Sequence, residues 1–236
     1  CNLPNYLEQN HVTDEPYSRD GKITLNLTFT KKIVTPLSFP LFNGNRNVAL
    51  SVEPLVTLTI DKCPASNPIY SGFFLNPYED AIYGNDLILK SSISSNTDSL
   101  TKLILSSGSN YNENSRIRVR NNCKIIAENR SKIVLGDYSQ IILERLENQT
   151  TQINSKLLLE NNSNLVFGIN SEINVNAYGE LINEGGLIAY SQNSNAKIII
   201  QSNGLYEIKP NVTNIHTVNN GGRILLQGGH LKIGDN

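Results

Sequence analysis

The sequence predicts an all-β fold built from a repeated unit of one short strand and one corner. Of its 236 residues, 34 are Asn, 22 are Ser and 13 are Thr, which are small polar side chains typical of turns. Residues 113–184 divide without a gap into nine consecutive segments of eight residues. The same positions of these octads carry the same kinds of side chain, which indicates a structural repeat.

Two positions of the octad define it. Position 3 is Ser, Cys or Gly in eight of the nine octads, and position 5 is Ile or Leu in eight of nine. The exception at both positions is the octad at residues 145–152. Similar octads follow at 194–201, 202–209 and 220–227, and one precedes the block at 99–106. The small residues are Ser115, Cys123, Ser131, Ser139, Ser155, Ser163, Ser171 and Gly179.

Each octad is interpreted as one strand and one bend. Successive strand residues point to opposite faces, so positions 3, 5 and 7 share one side. Ile117 and Val119 alternate with arginines, which places positions 5 and 7 in a core and position 3 inward at the bend. Asn is frequent at position 2, as at Asn162 and Asn170, and it suits the left-handed conformation of a corner. One unit cannot bury its apolar side alone, so consecutive units must stack.

Three octads would close one triangular coil, with successive coils stacked at a strand spacing of about 4.8 Å. This repeat geometry, over residues 85–236, resembles the parallel β-helix, or β-solenoid, of bacterial adhesins, secreted surface proteins, phage tail spikes and polysaccharide lyases. No motif specific to one family accompanies it. A flatter coil of two octads and an antiparallel meander are the alternatives.

The preceding residues lack the octad. Longer alternating segments at 22–30, 47–52 and 55–60, with prolines between them, predict a small N-terminal β module and connection over residues 21–84. Its last part, 64–84, is rich in aromatic residues that would plug the end of the solenoid. An elaborated first coil is the alternative. Residues 1–20 are polar and predict a tether or N-terminal arm.

Cys1 and Cys63 bear on location. A leading Cys followed by a polar stretch resembles a bacterial lipoprotein, in which Cys1 would carry a lipid anchor. The alternatives are a disulfide between Cys1 and Cys63 in an exported protein, and unmodified thiols. The lipid anchor and the disulfide both predict an extracellular or bacterial cell-surface protein. A net charge of −1 without a basic cluster argues against nucleic acid, and no apolar run reaches the length of a transmembrane helix.

A candidate interface comes from residues spaced by three octads. Val134, Leu158 and Ile182 share octad position 6, which points outward, and in three-octad coils they would lie above one another. Because contiguous exposed apolar patches mark interfaces, we expect this face to be covered by the N-terminal segment or by another subunit. The alternative is that β-branched residues there reflect strand propensity alone.

Titratable residues give a weak candidate site. Glu160 and Glu184 would share one face with Glu180 nearby, as a paired acid site or a weak cation site. They are mixed with lysines, so a solvated charge ladder is favoured. The histidines His11, His216 and His230 have no neighbours at metal spacing, and Cys123 is expected to be a buried, inert thiol. We therefore predict no catalytic residues, no cofactor and no metal.

The leading functional hypothesis is an exported, non-enzymatic, structural or adhesive β-solenoid. The last strand pattern, at 231–233, leaves no capping segment, so we expect either a longer solenoid or a second copy that completes the edge, as in a head-to-tail fibre. A host or cell-surface ligand, or a glycan, is a further possible partner. The alternative function is a carbohydrate-binding or polysaccharide-degrading β-helix, with a groove on one face or at an insertion such as 185–193 or 209–219. Converging carboxylates, or stacked side chains of Tyr190 and Tyr206, in such a groove would support this alternative.

Overall fold

The computed structural model describes residues 23–27, 31–34, 37–39, 48–61, 73–75, 86–91, 100–110, 114–120, 123–145, 154–191, 194–210, 216–217 and 222–234. Regular structure in these residues consists of β-strands. They are β1 (Ile23–Leu27), β2 (Lys31–Val34), β3 (Leu37–Phe39), β4 (Val48–Val52), β5 (Thr57–Asp61), β6 (Phe73–Leu75), β7 (Asp86–Leu89), β8 (Thr101–Leu105), β9 (Arg116–Val119), β10 (Lys124–Ala127), β11 (Ser131–Leu135), β12 (Gln140–Leu143), β13 (Ser155–Leu159), β14 (Asn164–Phe167), β15 (Glu172–Val175), β16 (Gly179–Asn183), β17 (Leu187–Tyr190), β18 (Lys197–Gln201), β19 (Leu205–Ile208), β20 (His216–Thr217), β21 (Arg223–Gln227) and β22 (His230–Ile233).

The strands form three parallel sheets, and each strand pairs with the strand three places further along the chain. Sheet A has the order β1-β4-β7-β10-β13-β16-β19-β22, sheet B has β2-β5-β8-β11-β14-β17-β20, and sheet C has β3-β6-β9-β12-β15-β18-β21. The chain therefore visits the three sheets in rotation. The result is an all-β, solenoid-like stack in which one coil contributes one strand to each sheet.

The coils are not uniform in length. Ile125 aligns with Leu157, four octads later, and Leu157 aligns with Leu181, three octads later. The longer coil contains the atypical octad at 145–152, which supplies none of the described strands. The extra octad leaves the pairing of β10 with β13 in register.

Strands before residue 85 belong to the same three sheets. β1 and β4 continue sheet A, β5 lies beside β8 in sheet B, and β6 lies beside β9 in sheet C. This is the arrangement expected of elaborated first coils. The division into domains at residues 20 and 84 stays a prediction.

The core lies inside the coils and follows the octad. Before the last coil, positions 5 and 7 are buried in the strands of all three sheets, as at Ile125 and Ala127, while most of the residues between them are half-buried. Burial of each such aliphatic side chain contributes about 1.5–3 kcal/mol relative to exposure. Position 3 is also buried, as at Ser131 and Ser163, which confirms the prediction that the small residue faces inward.

The corners have the backbone conformation expected of position 2. Asn162 and Asn170 have φ of 57° and 54°, in the left-handed region. Arg130, Tyr138 and Tyr178 have similar φ at the equivalent position, between 56° and 62°. Asn is favoured there but is not required.

Candidate functional site

The outer face of sheet A carries a continuous aliphatic ladder. Ile88 aligns with Ile126, Ile126 with Leu158, and Leu158 with Ile182, on four neighbouring strands. Each of these side chains is half-buried, since the rungs above and below cover its flanks. We call these four residues the sheet A ladder. Two residues of the predicted interface, Leu158 and Ile182, belong to it.

Val134 does not share this face, which corrects the predicted three-residue stripe. It lies in β11 of sheet B, where it aligns with Ile104 and with Val166, and Val166 aligns with Ala189. The prediction assumed a constant spacing of three octads, whereas the coil after β11 is one octad longer. The outer surface thus has two aliphatic ladders on neighbouring sheets.

Charged residues flank the sheet A ladder unequally. At the starts of the strands, Lys124 aligns with Lys156, and Lys156 with Glu180. The residues directly after the ends of the same three strands are all acidic, and they are Glu128, Glu160 and Glu184. We call these three carboxylates the acidic edge. In the fourth strand of the ladder, β7, the order is reversed, since Asp86 aligns with Lys124 and Lys90 follows the strand end. The ladder therefore has mixed charges at the strand starts and the acidic edge after the ends of β10, β13 and β16.

The predicted carboxylate site is only partly brought together. Glu160 and Glu184 are neighbours in the acidic edge, since the amide of Glu184 donates to the carbonyl of Leu159, the residue before Glu160. Glu180 lies at the opposite end of its strand. Its carboxylate pairs with Lys156 Nζ at 2.7 Å and accepts a hydrogen bond from Asn154 Nδ2.

Glu160 is the centre of the acidic edge and its protonation is perturbed. Burial raises the pKa of Glu160, and the neighbouring carboxylates of Glu128 and Glu184 raise it further, although a backbone hydrogen bond at Asn129 and the charge of Lys90 oppose this. Lys90 Nζ itself lies 3.2 Å from Glu128 Oε1. In the described part of the chain, no group of three His, Cys, Asp or Glu residues has the arrangement of a metal site.

Sheet C carries charges on its outer face in paired form. Arg118 and Arg120 both contact Glu144, at 2.7 and 3.2 Å. Glu172 contacts Lys197 at 3.5 Å and accepts a hydrogen bond from Gln140 at 2.9 Å. These pairs join strands of successive coils, as expected for a charge ladder.

Tyr190 and Tyr206, whose stacking in a groove would have favoured a sugar-binding function, lie in the core. Tyr190 is 5 % exposed and stacks on Phe167 with ring centroids 5.0 Å apart, while Tyr206 is fully buried. Burial raises the pKa of Tyr190 to about 12 and also raises that of Tyr206. Both side chains occupy inward strand positions, where the sequence pattern places Leu or Ile in other coils.

A buried polar side chain that the sequence pattern did not indicate accompanies these tyrosines. Asn183 is fully buried at an inward position, and its Oδ1 accepts hydrogen bonds from the amides of Gly185 and Gly186 at 3.0 and 2.7 Å. Its Nδ2 donates to the Gly186 carbonyl, and its side chain also hydrogen-bonds Tyr206. The Asn183-Glu-Gly-Gly186 order is the available signal, because an amide followed by two glycines favours a side-chain-closed turn.

The remaining candidates are the cysteines and histidines, only some of which lie among the described residues. Cys1, Cys63 and His11 lie outside the described residues, as does the side chain of His216. Cys123 is fully buried at its corner, as predicted. His230 is exposed on β22.

The last described coil leaves inward-facing side chains uncovered. Leu226 aligns with the buried Ile200, and Ile233 aligns with Ile208, so both point along the core. Yet Leu226 is 53 % exposed and Ile233 is 65 % exposed. No described strand lies beyond β20, β21 and β22 in the three sheets.

Comparison with known proteins adds no assignment, because no family model, curated protein or solved structure matches the chain. Among the described residues there is no helix with the length and hydropathy needed to cross a bilayer.

Proposed function

We propose that the chain is a parallel β-helix with three strands per coil that acts as an exported, non-enzymatic structural or adhesive protein at a bacterial cell surface. The observation that carries this proposal is the continuity of the outer ladders. Side chains of one chemical kind recur along straight faces over several coils, as in the four rungs Ile88, Ile126, Leu158 and Ile182. Such faces suit extended contacts with another macromolecule.

The placement of polar groups supports the same function. Outward charges of sheet C pair along their ladder, and the interior is filled by aliphatic and aromatic side chains. The eight strands of sheet A give seven spacings of roughly 4.8 Å, so that face is about 34 Å long. The molecule thus offers long straight faces. A lipid anchor at Cys1 would hold it at the cell surface, whereas a disulfide between Cys1 and Cys63 would indicate an oxidising compartment outside the cytosol.

Location can be tested in the cells that produce the protein. Intact cells would be treated with a protease that cannot enter them, and the N-terminal peptide would be analysed by mass spectrometry. We expect cleavage of the protein on intact cells and a modified Cys1, either acylated or joined to Cys63. Protection from protease until the cells are lysed, together with an unmodified Cys1, would contradict the proposal.

We extend the proposal to end-to-end assembly into a fibre, which the exposure of the inward-pointing Leu226 and Ile233 supports. Parallel strands at the two ends of a solenoid run in the same sense, so the edge formed by β20–β22 can continue into the β1–β3 edge of another copy. Such a contact joins different surfaces and does not close, so it produces chains of increasing length. Leu226 and Ile233 would be buried in it.

A pair of variants tests this contact by sedimentation velocity. We expect Leu226→Lys with Ile233→Lys to abolish the long end-to-end species, because lysine charges would be buried at each junction. Leu187→Lys with Ile169→Lys is the matched control, since these apolar side chains are 37 % and 40 % exposed away from that end. Equal loss of long species in both double variants would disprove the end contact.

A further inference from the structure

The outer face of sheet A is complementary to itself. We propose that two copies of the chain associate side by side through the sheet A ladder, with their long axes parallel. This contact lies on the side of the solenoid and is independent of the proposed end-to-end junction.

The argument starts from the order of side chains across the face. Along β10 the outward order is Lys124, Ile126, Glu128, and along β13 it is Lys156, Leu158, Glu160. Each of these two strands therefore presents a cation, an aliphatic residue and an anion in line. An apolar centre between charged rims is the usual composition of a protein interface.

Symmetry decides which orientation this order permits. A two-fold axis parallel to the solenoid reverses the strand direction but keeps every coil at its own height. Lys124 then faces Glu128 of the second copy, and Lys156 faces Glu160 of the second copy. With the solenoids antiparallel, the acidic edge would face the acidic edge, which like-charge repulsion disfavours.

Two of the four facing side chains already have partners within one copy, since Glu128 contacts Lys90 at 3.2 Å and Lys156 contacts Glu180 at 2.7 Å. The contacts between copies would therefore extend these pairs into networks. Glu160 stands between Glu128 and Glu184, and its raised pKa reflects burial and these like charges. A lysine from a second copy would supply the opposite charge. Glu180 would face Glu184 of the second copy, but the Glu180 carboxylate is already paired with Lys156 at 2.7 Å.

The other two sheets lack this complementarity. Beside the sheet B ladder, Lys102 and Lys132 align at the strand starts, while Ser106, Gly136 and Gly168 follow the strand ends. That face has a basic edge without an acidic one. On sheet C the central outward positions include Arg118 and Asn174, so no aliphatic ladder forms.

The size of the face predicts a weak dimer. Four strands at about 4.8 Å and five residues at about 3.3 Å give roughly 320 Å² per copy, less than half of the ~800 Å² of a standard interface. The dissociation constant is therefore expected between about 10 µM and 1 mM. Because the contact is two-fold, association stops at the dimer.

A charge-swap experiment tests the proposal by sedimentation equilibrium at up to about 1 mM protein, using the end-blocked Leu226→Lys, Ile233→Lys background. Lys156→Glu and Glu160→Lys are made in separate chains. Each alone creates two like-charge contacts in the dimer, and we expect each to weaken association at least about 10-fold. An equimolar mixture restores both opposite-charge contacts and should dimerise as the unswapped protein does.

Controls keep the outcome interpretable. Lys132→Glu makes the same charge change on sheet B and should leave the dimer unchanged. Lys156→Glu removes the ion pair to Glu180, so its thermal unfolding is measured, and Leu158→Ser provides a second disruption that changes no charge. A background protein that stays monomeric at about 1 mM, a mixture that does not recover, or an equal effect of Lys132→Glu would overturn the proposal.

Discussion

Arg130 and Asn162 occupy the same corner of consecutive coils and hold the same left-handed backbone conformation, with φ of 56° and 57°. Each immediately precedes a buried serine, Ser131 or Ser163, at the start of a sheet B strand. The Asn162 side chain also lies within 3.5 Å of Asn129, next to Arg130. Asn162 is suited to the left-handed conformation of this corner, whereas Arg130 is not.

Replacing Arg130 by Asn should therefore stabilise the protein. Asn adopts the left-handed region at lower cost than a long side chain, and Arg130 is exposed, so we expect a gain of about 0.5 kcal/mol in the free energy of unfolding. Asn162→Ala is the converse change and should cost about 1 kcal/mol. Urea unfolding followed by circular dichroism measures both. A loss of stability in Arg130→Asn would show that another property of the arginine matters.

The same two corners offer a test of buried hydroxyls. Ser163 Oγ donates to the Glu160 carbonyl at 2.7 Å, whereas Ser131 Oγ is buried and has no hydrogen-bond partner in the described structure. We expect Ser163→Ala to lower the free energy of unfolding by about 1 kcal/mol and Ser131→Ala to change it by less than about 0.5 kcal/mol. Equal losses in the two variants would mean that Ser131 bonds the Glu128 carbonyl in solution.

Glu160→Gln should stabilise the monomer at neutral pH. The pKa of Glu160 is raised by burial and by Glu128 and Glu184, so the folded state favours its protonated form. The free-energy cost of ionising Glu160 in the folded protein is therefore absent below the unfolded pKa of about 4.3. This cost grows as the pH rises through the higher pKa of the folded state. Thermal unfolding of dilute protein between pH 3.5 and 7.5 should show a gain that disappears toward acid.

Glu207→Gln is the control of opposite sign. Hydrogen bonds from Lys232 and Lys209 lower the pKa of Glu207, so its contribution is present at neutral pH and is lost as the pH falls through the folded value. This variant should be less stable than the wild type at pH 7 and equal to it in acid. If Glu160→Gln followed the same trend, the interpretation of the acidic edge would be wrong.

Gly179→Ala should be strongly destabilising, although it adds only one methyl group. A Cβ at Gly179 would lie 2.8 Å from Leu143 Cβ and 3.0 Å from the Leu143 carbonyl, so backbone has to shift. We expect a cost of about 1–3 kcal/mol. Ser155→Ala, which removes an atom at the aligned corner of the neighbouring coil, is the matched control and should be near neutral. Comparable stability of Gly179→Ala and wild type in urea would contradict this packing.

The octad predicts much of the architecture, because its pattern follows from local strand and corner geometry that recurs from coil to coil. Strand alternation places Ile125 and Ala127 inside, steric limits at the bend select Ser131, and corner geometry favours Asn162. The sequence indicates less clearly which strands pair between one coil and the next. Pairing between coils depends on how many residues each corner contains, and the octad at 145–152 is atypical in sequence without showing that it lengthens its coil.

The variable coil length also explains why only part of the candidate interface was predicted correctly. Leu158 and Ile182 are joined by a coil of the expected three octads, and they are neighbours. Val134 precedes the longer coil and falls on sheet B. The sequence left open whether Tyr190 and Tyr206 are buried or bind a ligand, because hydrophobic patterning does not separate the two. Their alignment with Phe167 and Leu181 places them in the core.

The longer coil between β10 and β13 separates chain length from strand register. An additional octad enters there, and Ile125 still meets Leu157 as an ordinary neighbour. Strand register in sheet A is therefore determined by the residues that pair, and not by a constant number of residues from one coil to the next. A ladder on this surface can stay continuous even where the repeat in the sequence loses its phase.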